Sequence, residues 1–159
     1  MITEIILDWY DSNKVVIELN AAGLSHADSL LQPTGAEANC LNWVVGHVIA
    51  NRNTALGLLN WPLVWPDELI ARYQTGSLPV GPDDEGAVEF AELLHDLGRT
   101  QKALAAALAQ ATPDLLDAPY SQRQTIGQRL MGLAWHEAYH AGQTDYLRRL
   151  AGKPDGGVR

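Results

Sequence analysis

The chain has 159 residues, 47% of them hydrophobic and only 19% charged, which excludes intrinsic disorder and leaves enough apolar mass for a core of one-domain size. A net charge of −8 repels a phosphate backbone and argues against nucleic-acid binding. Cys40 is the sole cysteine, so neither an internal disulfide nor a cysteine metal cage can form.

The predicted elements are helices. The first runs from Ile5 to Ala22 with Thr3 as its N-cap; its apolar residues Ile5, Ile6, Trp9, Val16, Leu19 and Ala22 recur at helical spacing, and Gly23 closes it. Ser25 caps a single turn to Leu31, which Pro33-Thr-Gly35 ends. The second long helix runs from Asn39, as N-cap, to Leu59. Residues 60–86 are punctuated by Pro62, Pro66, Gly76, Pro79, Gly81 and Pro82, with a short helix over Asp67 to Tyr73 inside them. That stretch is too long for a tight hairpin and can cross the molecule or cover a site.

The third long helix is expected to begin at Asp83-Asp-Glu85, where acids suit the positive end of the helix dipole, and to stop at Thr112-Pro113. The fourth opens on Thr125-Ile-Gly-Gln128, a capping-box sequence, and continues to Leu150 before Gly152 and Pro154. Four such helices without a strand predict an all-α four-helix bundle, with residues 1–152 as a single domain and 153–159 as a tail. No apolar run approaches the ~18 residues of a membrane span. Met1-Ile-Thr-Glu lacks the basic start and apolar core of a signal peptide, so a cytoplasmic location is expected, with no membrane partner.

The chemistry concentrates on the last helix, in His136-Glu-Ala-Tyr-His140. Histidines four apart lie one above the other, so both imidazoles can meet one divalent ion. Arg129, Leu133, Gln143 and Leu147 share their face, which is the face expected to turn inward. Burying two unpartnered histidines is costly, which favours a shared ion or a hydrogen-bond network. His47, ending Asn42-Trp-Val-Val-Gly-His47 on the second long helix, offers a third ligand.

The five letters 136–140 also match the H-E-x-x-H zinc-protease pattern. A metzincin would carry Gly at 143 and His at 146, whereas this chain has Gln143 and Tyr146, and no sheet edge is predicted to align a peptide. Glu137 is the candidate base, although it lies about 100° around the helix from His136, and a carboxylate paired with a neighbouring helix or with solvent is the favoured account of it. Asn51, one turn past His47, and Gln143, one turn past His140, are candidate substrate-binding or ligand-orienting groups. Cys40 reads as a small buried apolar group, and Trp43, Trp61, Trp65 and Trp135 as core packing or as walls of an aromatic pocket.

These motifs, in this order and separation, resemble the DinB-like (YfiT-type) four-helix-bundle metalloproteins. Leu7-Asp-Trp9 at the start of the first helix and Thr125 at the start of the fourth are similar to the family as well, and the likeness covers residues 1–152. The resemblance implies an up-down-down-up bundle. It also implies a divalent metal, commonly zinc or nickel, on a triad that maps onto His47, His136 and His140, and homodimers in many relatives. Relatives that use mycothiol replace the last-helix pair with a Glu and a His; this chain keeps both histidines.

Family activity implies a thiol S-transferase joining a low-molecular-weight thiol such as bacillithiol or mycothiol to an electrophile, a small-molecule substrate. A metal-dependent hydrolase and a non-catalytic metal-binding stress-response protein are the alternatives. The locally basic segment 121–159 contains Arg148, Arg149 and Lys153, which read either as a solvated helix face or as an attraction for an acidic thiol.

Overall fold

Helix boundaries follow local chemistry in the computed structural model, which describes residues 2–33, 38–154 and 156. In chain order the helices are α1 (Ile2–Ala21), α2 (His26–Ser29), α3 (Leu41–Leu58), α4 (Asp67–Tyr73), α5 (Phe90–Gln110), α6 (Pro113–Asp117) and α7 (Ile126–Leu150). Among the described residues there is no strand, and only an isolated bridge joins Pro119 to Thr125. The α7 capping box forms as expected: Thr125 accepts from the Gln128 N–H while Gln128 accepts from the Thr125 N–H. Gly23 and Gly152, at φ +73° and +71°, provide the left-handed residues that end α1 and α7. No described helix is long and apolar enough to cross a membrane.

Three expected boundaries, the starts of α1, α3 and α5, need correction, and the expected stop at Thr112-Pro113 holds. Helix α1 begins at Ile2, which places Thr3 inside the helix and buried rather than at its cap. The N-cap of α3 is Cys40, not Asn39, and it makes no side-chain cap bond. Helix α5 starts at Phe90, because the acids near 83 serve a turn instead: Asp84 accepts the Gly86 N–H and pairs with Arg72. Thr112-Pro113 ends α5 and also founds α6, with Thr112 accepting from the Leu115 N–H and Pro113 at the first helical position. The expected terminator Thr34-Gly35 lies outside the described residues.

Helix direction is read from side-chain bonds. Asn13 donates to the Ala134 carbonyl and Asn20 to Thr144, so α1 and α7 run parallel. Asn42 donates to the Val88 carbonyl and Arg52 to that of Leu97, so α3 and α5 also run parallel. The order is therefore up-down-down-up, and the long stretch between α3 and α5 returns the chain to the end where α3 began.

Packing divides the interior into two apolar clusters. One gathers Ile17, Val44, Val48, Leu93 and Ala141; the other gathers Ile6, Leu56, Leu104, Leu130 and Ala134. Between them Arg52 and Glu137 are fully buried and form a two-pronged ion pair, Nε to Oε2 at 2.9 Å and a terminal nitrogen to Oε1 at 2.6 Å. Two further guanidinium hydrogens go to the carbonyls of Leu97 at 3.2 Å and Tyr10 at 3.1 Å, so one side chain joins all four long helices.

The apolar positions of α1 do not all enter the core. Ile6, Tyr10, Asn13, Ile17, Asn20 and Ala21 are buried, whereas Ile5, Trp9 and Leu19 are 52%, 40% and 41% exposed. Two apolar stripes run along this helix. Only one faces the bundle, and each of its two asparagines donates its amide to α7.

Removing one partner of a buried ion pair strands the other charge and costs about 3–5 kcal/mol, whereas apolar replacement of both is near neutral. Arg52→Met should therefore lose about that much stability in urea unfolding, and Arg52→Met combined with Glu137→Leu should recover most of it. Equal losses in the single and double variants would show that the guanidinium acts mainly through its bonds to Tyr10 and Leu97.

Candidate metal centre

The motif on α3 accounts for His47 residue by residue. Asn42 accepts from the Tyr73 hydroxyl at 3.0 Å, and that hydroxyl accepts the Val88 N–H, which ties the end of α4 to α3. Trp43 donates to Ser77 and stacks on the His47 ring, with centroids 4.6 Å apart and planes within 10°. Gly46 lies beneath the Tyr73 ring, where any Cβ would overlap it. Close packing there brings the Tyr73 carbonyl to 2.8 Å from His47 Nδ1. An Nδ1–H given to a carbonyl leaves Nε2 as the free lone pair.

Helix α7 supplies the other two rings. His140 Nδ1 donates to Gln143 Oε1 at 2.7 Å, which likewise frees its Nε2, and Gln143 in turn donates to the Tyr139 hydroxyl. His136 Nε2 lies 3.2 Å from His47 Nε2 and 3.0 Å from His140 Nε2. The ligand atoms of all three residues fall within 4.8 Å of one another.

The donor set fits a divalent ion. With two Nδ1 protons committed to carbonyl oxygens, the Nε2 lone pairs of His47 and His140 converge on His136; an amide hydrogen of Asn51 and a His136 proton can serve them, and one cation between the rings can take all three Nε2 atoms. Zinc–imidazole bonds of ~2.0–2.1 Å in a tetrahedron separate neighbouring nitrogens by about 3.3 Å, close to the spacings present. Burial lowers the pKa of all three rings, that of His140 to about 4, so they stand neutral at physiological pH with lone pairs available.

The triad opens into a cleft of about 720 Å³, walled by Trp43, Val44, Tyr139, Tyr146 and Leu147, which is ample for a small organic molecule. None of its described lining residues carries a carboxylate, guanidinium or ammonium.

Of the expected site residues, the structure brings together His47, His136, His140, Gln143 and Asn51. Asn51 donates to His47 Nε2 at 2.9 Å and to the His47 carbonyl at 3.1 Å. It thus competes for the lone pair an ion would use, and keeps the carbonyl as its alternative acceptor. Glu137 lies elsewhere: it is committed to Arg52 inside the core rather than to the cleft. Cys40 is buried, and burial pushes its thiol pKa up, away from the nucleophilic form.

Among the tryptophans Trp43 lines the cleft, Trp65 is a core residue bonded to Asp96, Trp61 packs at the edge of the lower cluster, and Trp135 is 63% exposed. The basic residues have structural tasks: Arg148 donates to the carbonyls of Asn20, Ala22 and Pro154, and Arg149 pairs with Asp145.

Three contributors escaped the sequence reading. Tyr73 acts through its backbone, which no pattern reveals. Tyr139 and Tyr146 flank the histidines seven residues apart and could have been read as a wall by that spacing.

Comparison with known proteins agrees with the geometry. The family model of the DinB superfamily matches residues 15–144. The chain belongs to the DinB superfamily. A solved structure titled as the conserved protein of a locus from Enterococcus faecalis is similar over 95% of this chain and 98% of that one, with a TM-score of 0.74. At 20% identity the likeness is one of fold. No curated protein matches. The histidine arrangement and the family are both compatible with a metal-binding protein.

Two measurements follow. Gly46→Ala forces a methyl into a packed ring, an overpacking cost of about 1–3 kcal/mol, and by displacing the Tyr73 carbonyl it should weaken zinc binding in a titration. An unchanged zinc affinity would show that His47 needs no backbone anchor. The depressed pKa of His140 also fixes a pH window in the metal-free protein. The unfolded chain takes up a proton near 6.5 and the folded one only near 4, so stability is complete above the first value and falls as pH drops towards the second. Thermal unfolding should track that loss, and His140→Asn should flatten it.

Proposed function

We propose that the chain is a divalent-metal-dependent S-transferase that joins a low-molecular-weight thiol to an electrophilic small molecule. One observation carries the reading: three neutral imidazoles aim their Nε2 atoms at one point on the floor of a cleft large enough for a co-substrate. His47, His136 and His140 would hold the ion, zinc or nickel by the nature of the donors. A dication on three neutral ligands keeps its full charge and an open position, the chemistry that stabilises a thiolate or acidifies water.

The protein's own groups supply position. Tyr73 and Gln143 hold two rings in the tautomer that presents Nε2, and Trp43 holds the His47 ring plane. Tyr139, Tyr146 and Trp43 offer faces for the organic part of a ligand. With Glu137 occupied by Arg52, the described cleft lining lacks a carboxylate to take a proton from water. That favours a nucleophile that ionises readily by itself, such as a thiol of ordinary pKa ~8.5, over general-base hydrolysis.

The test combines elemental analysis with a reaction panel. Purified protein should carry about one metal per chain, lost in His136→Ala. The metal-loaded protein should accelerate attack of bacillithiol, mycothiol or glutathione on a chromogenic electrophile, and chelation should abolish the effect. Metal bound without acceleration by any thiol, together with a large drop in melting temperature on chelation, would overturn the transferase reading in favour of a structural clip.

A further inference from the structure

A second, smaller cavity also reaches the triad. The aromatic cleft meets α3 at Trp43, Val44 and His47, whereas this cavity meets it at His47, Ala50, Asn51 and Thr54. Those residues lie on successive turns, so the two spaces flank His47 along the helix. The far wall is the end of α4 and the residues after it, Ile70, Gln74 and Thr75, and only His47 and Thr75 line both spaces. Pockets that enclose a whole ligand run from ~300 to ~1,000 Å³. The cleft, at about 720 Å³, is of that size, and the cavity, at about 220 Å³, has room for one end of a molecule.

Asn51 joins the cavity to the ligand atoms. Its amide nitrogen donates to the His47 carbonyl at 3.1 Å and to His47 Nε2 at 2.9 Å. A cation on Nε2 takes that lone pair, and the displaced N–H then needs another acceptor. The space that Asn51 lines is this cavity, whose polar groups besides His47 are the amides of Asn51 and Gln74 and the hydroxyls of Thr54 and Thr75.

We propose that the small cavity is the subsite for the thiol, which it holds by a cysteine in amide linkage, while the electrophile occupies the aromatic cleft. The assignment rests on the transferase reading and goes beyond it by placing the two reactants on opposite sides of His47. An uncharged lining of amides and hydroxyls matches the amide that bacillithiol, mycothiol and glutathione all carry beside the sulfur. Aromatic faces from Trp43, Tyr139 and Tyr146 suit the organic electrophile instead. The transfer balances without a further reactant: the thiol gives its proton to solvent, a sulfur electron pair forms the S–C bond, and the displaced group leaves with the pair of the bond that breaks. Asn51 also couples the two binding events, since it turns a donor towards the thiol only once His47 Nε2 is taken.

Isothermal titration of the zinc-loaded chain with N-acetylcysteine amide tests the assignment without turnover. The thiol should bind about tenfold or more tightly than it binds the metal-free chain. Thr54→Phe, an exposed position from which the ring fills the cavity, should weaken thiol binding by about tenfold and leave zinc affinity unchanged. Asn51→Ala should weaken the thiol but tighten zinc, because the competing bond to Nε2 is gone; damage to the fold would weaken both. In turnover with a chromogenic electrophile, Thr54→Phe should raise the KM of the thiol and not that of the electrophile. Thiol binding that survives both substitutions, or a rise in the electrophile's KM instead, would overturn the subsite while the transferase reading stands. A zinc-loaded wild type that binds no thiol would overturn both.

Discussion

The contact between Arg52 and Glu137 sets the register on which the rest of the molecule depends. A guanidinium and a carboxylate, both stripped of water, are tolerable only if nearly every donor and acceptor is matched. Here the carboxylate takes two bonds, and the carbonyls of Tyr10 and Leu97 take two more. Those demands fix α3 against α7 in both height and rotation. His47 lies five residues before Arg52, and His136 is the residue before Glu137. Satisfying the ion pair therefore brings the ligand-bearing turns of the two helices to the same level. The glutamate of the H-E-x-x-H letters thus has a structural role, one residue removed in sequence and a different direction in space from the histidines around it.

Above that pair, the imidazoles are held by partners that act on the side away from their free nitrogens. Two carbonyl oxygens, one from the Tyr73 backbone and one from Gln143, take the Nδ1 protons, so the lone pairs have one direction left. The long connection between α3 and α5 makes this possible. Two neighbouring parallel helices need a return path, and the path carries α4 across α3 and ends it at Tyr73. Arg72 steadies the next stretch through the carbonyls of Leu78 and Pro79 and through Asp84. A segment required by topology is thereby also the segment that orients His47.

The outer surface follows another rule. Helix α1 is apolar on two flanks and polar on the remainder, and the bundle uses only one of those flanks. The flank turned to the core carries two asparagines, and each donates its amide to α7, to the Ala134 carbonyl and the Thr144 hydroxyl. Hydrophobicity alone would have favoured the flank with Trp9. An apolar flank left bare on a single chain is a common mark of an interaction surface.

Much of the fold and the identity of the triad were legible in the sequence, because they rest on short-range physics. Thr125 and Gln128 cap each other within one turn, histidines four apart share a face, and Asp67 to Tyr73 stands between helix breakers. The start of α5 was not legible, because the acids near 83 suit a helix end and a turn equally, and Arg72 on another element decided between them. Nor was the inner flank of α1 legible, since periodicity shows that stripes exist but not which one meets a neighbour.

The use of Glu137 followed from a partner on another helix, and the anchor of His47 was a backbone carbonyl, which every residue possesses and no letter distinguishes. The sequence by itself determined the helices and the kinds of donor. The tertiary structure decided which groups meet, because burial and pairing depend on atoms brought together from distant parts of the chain.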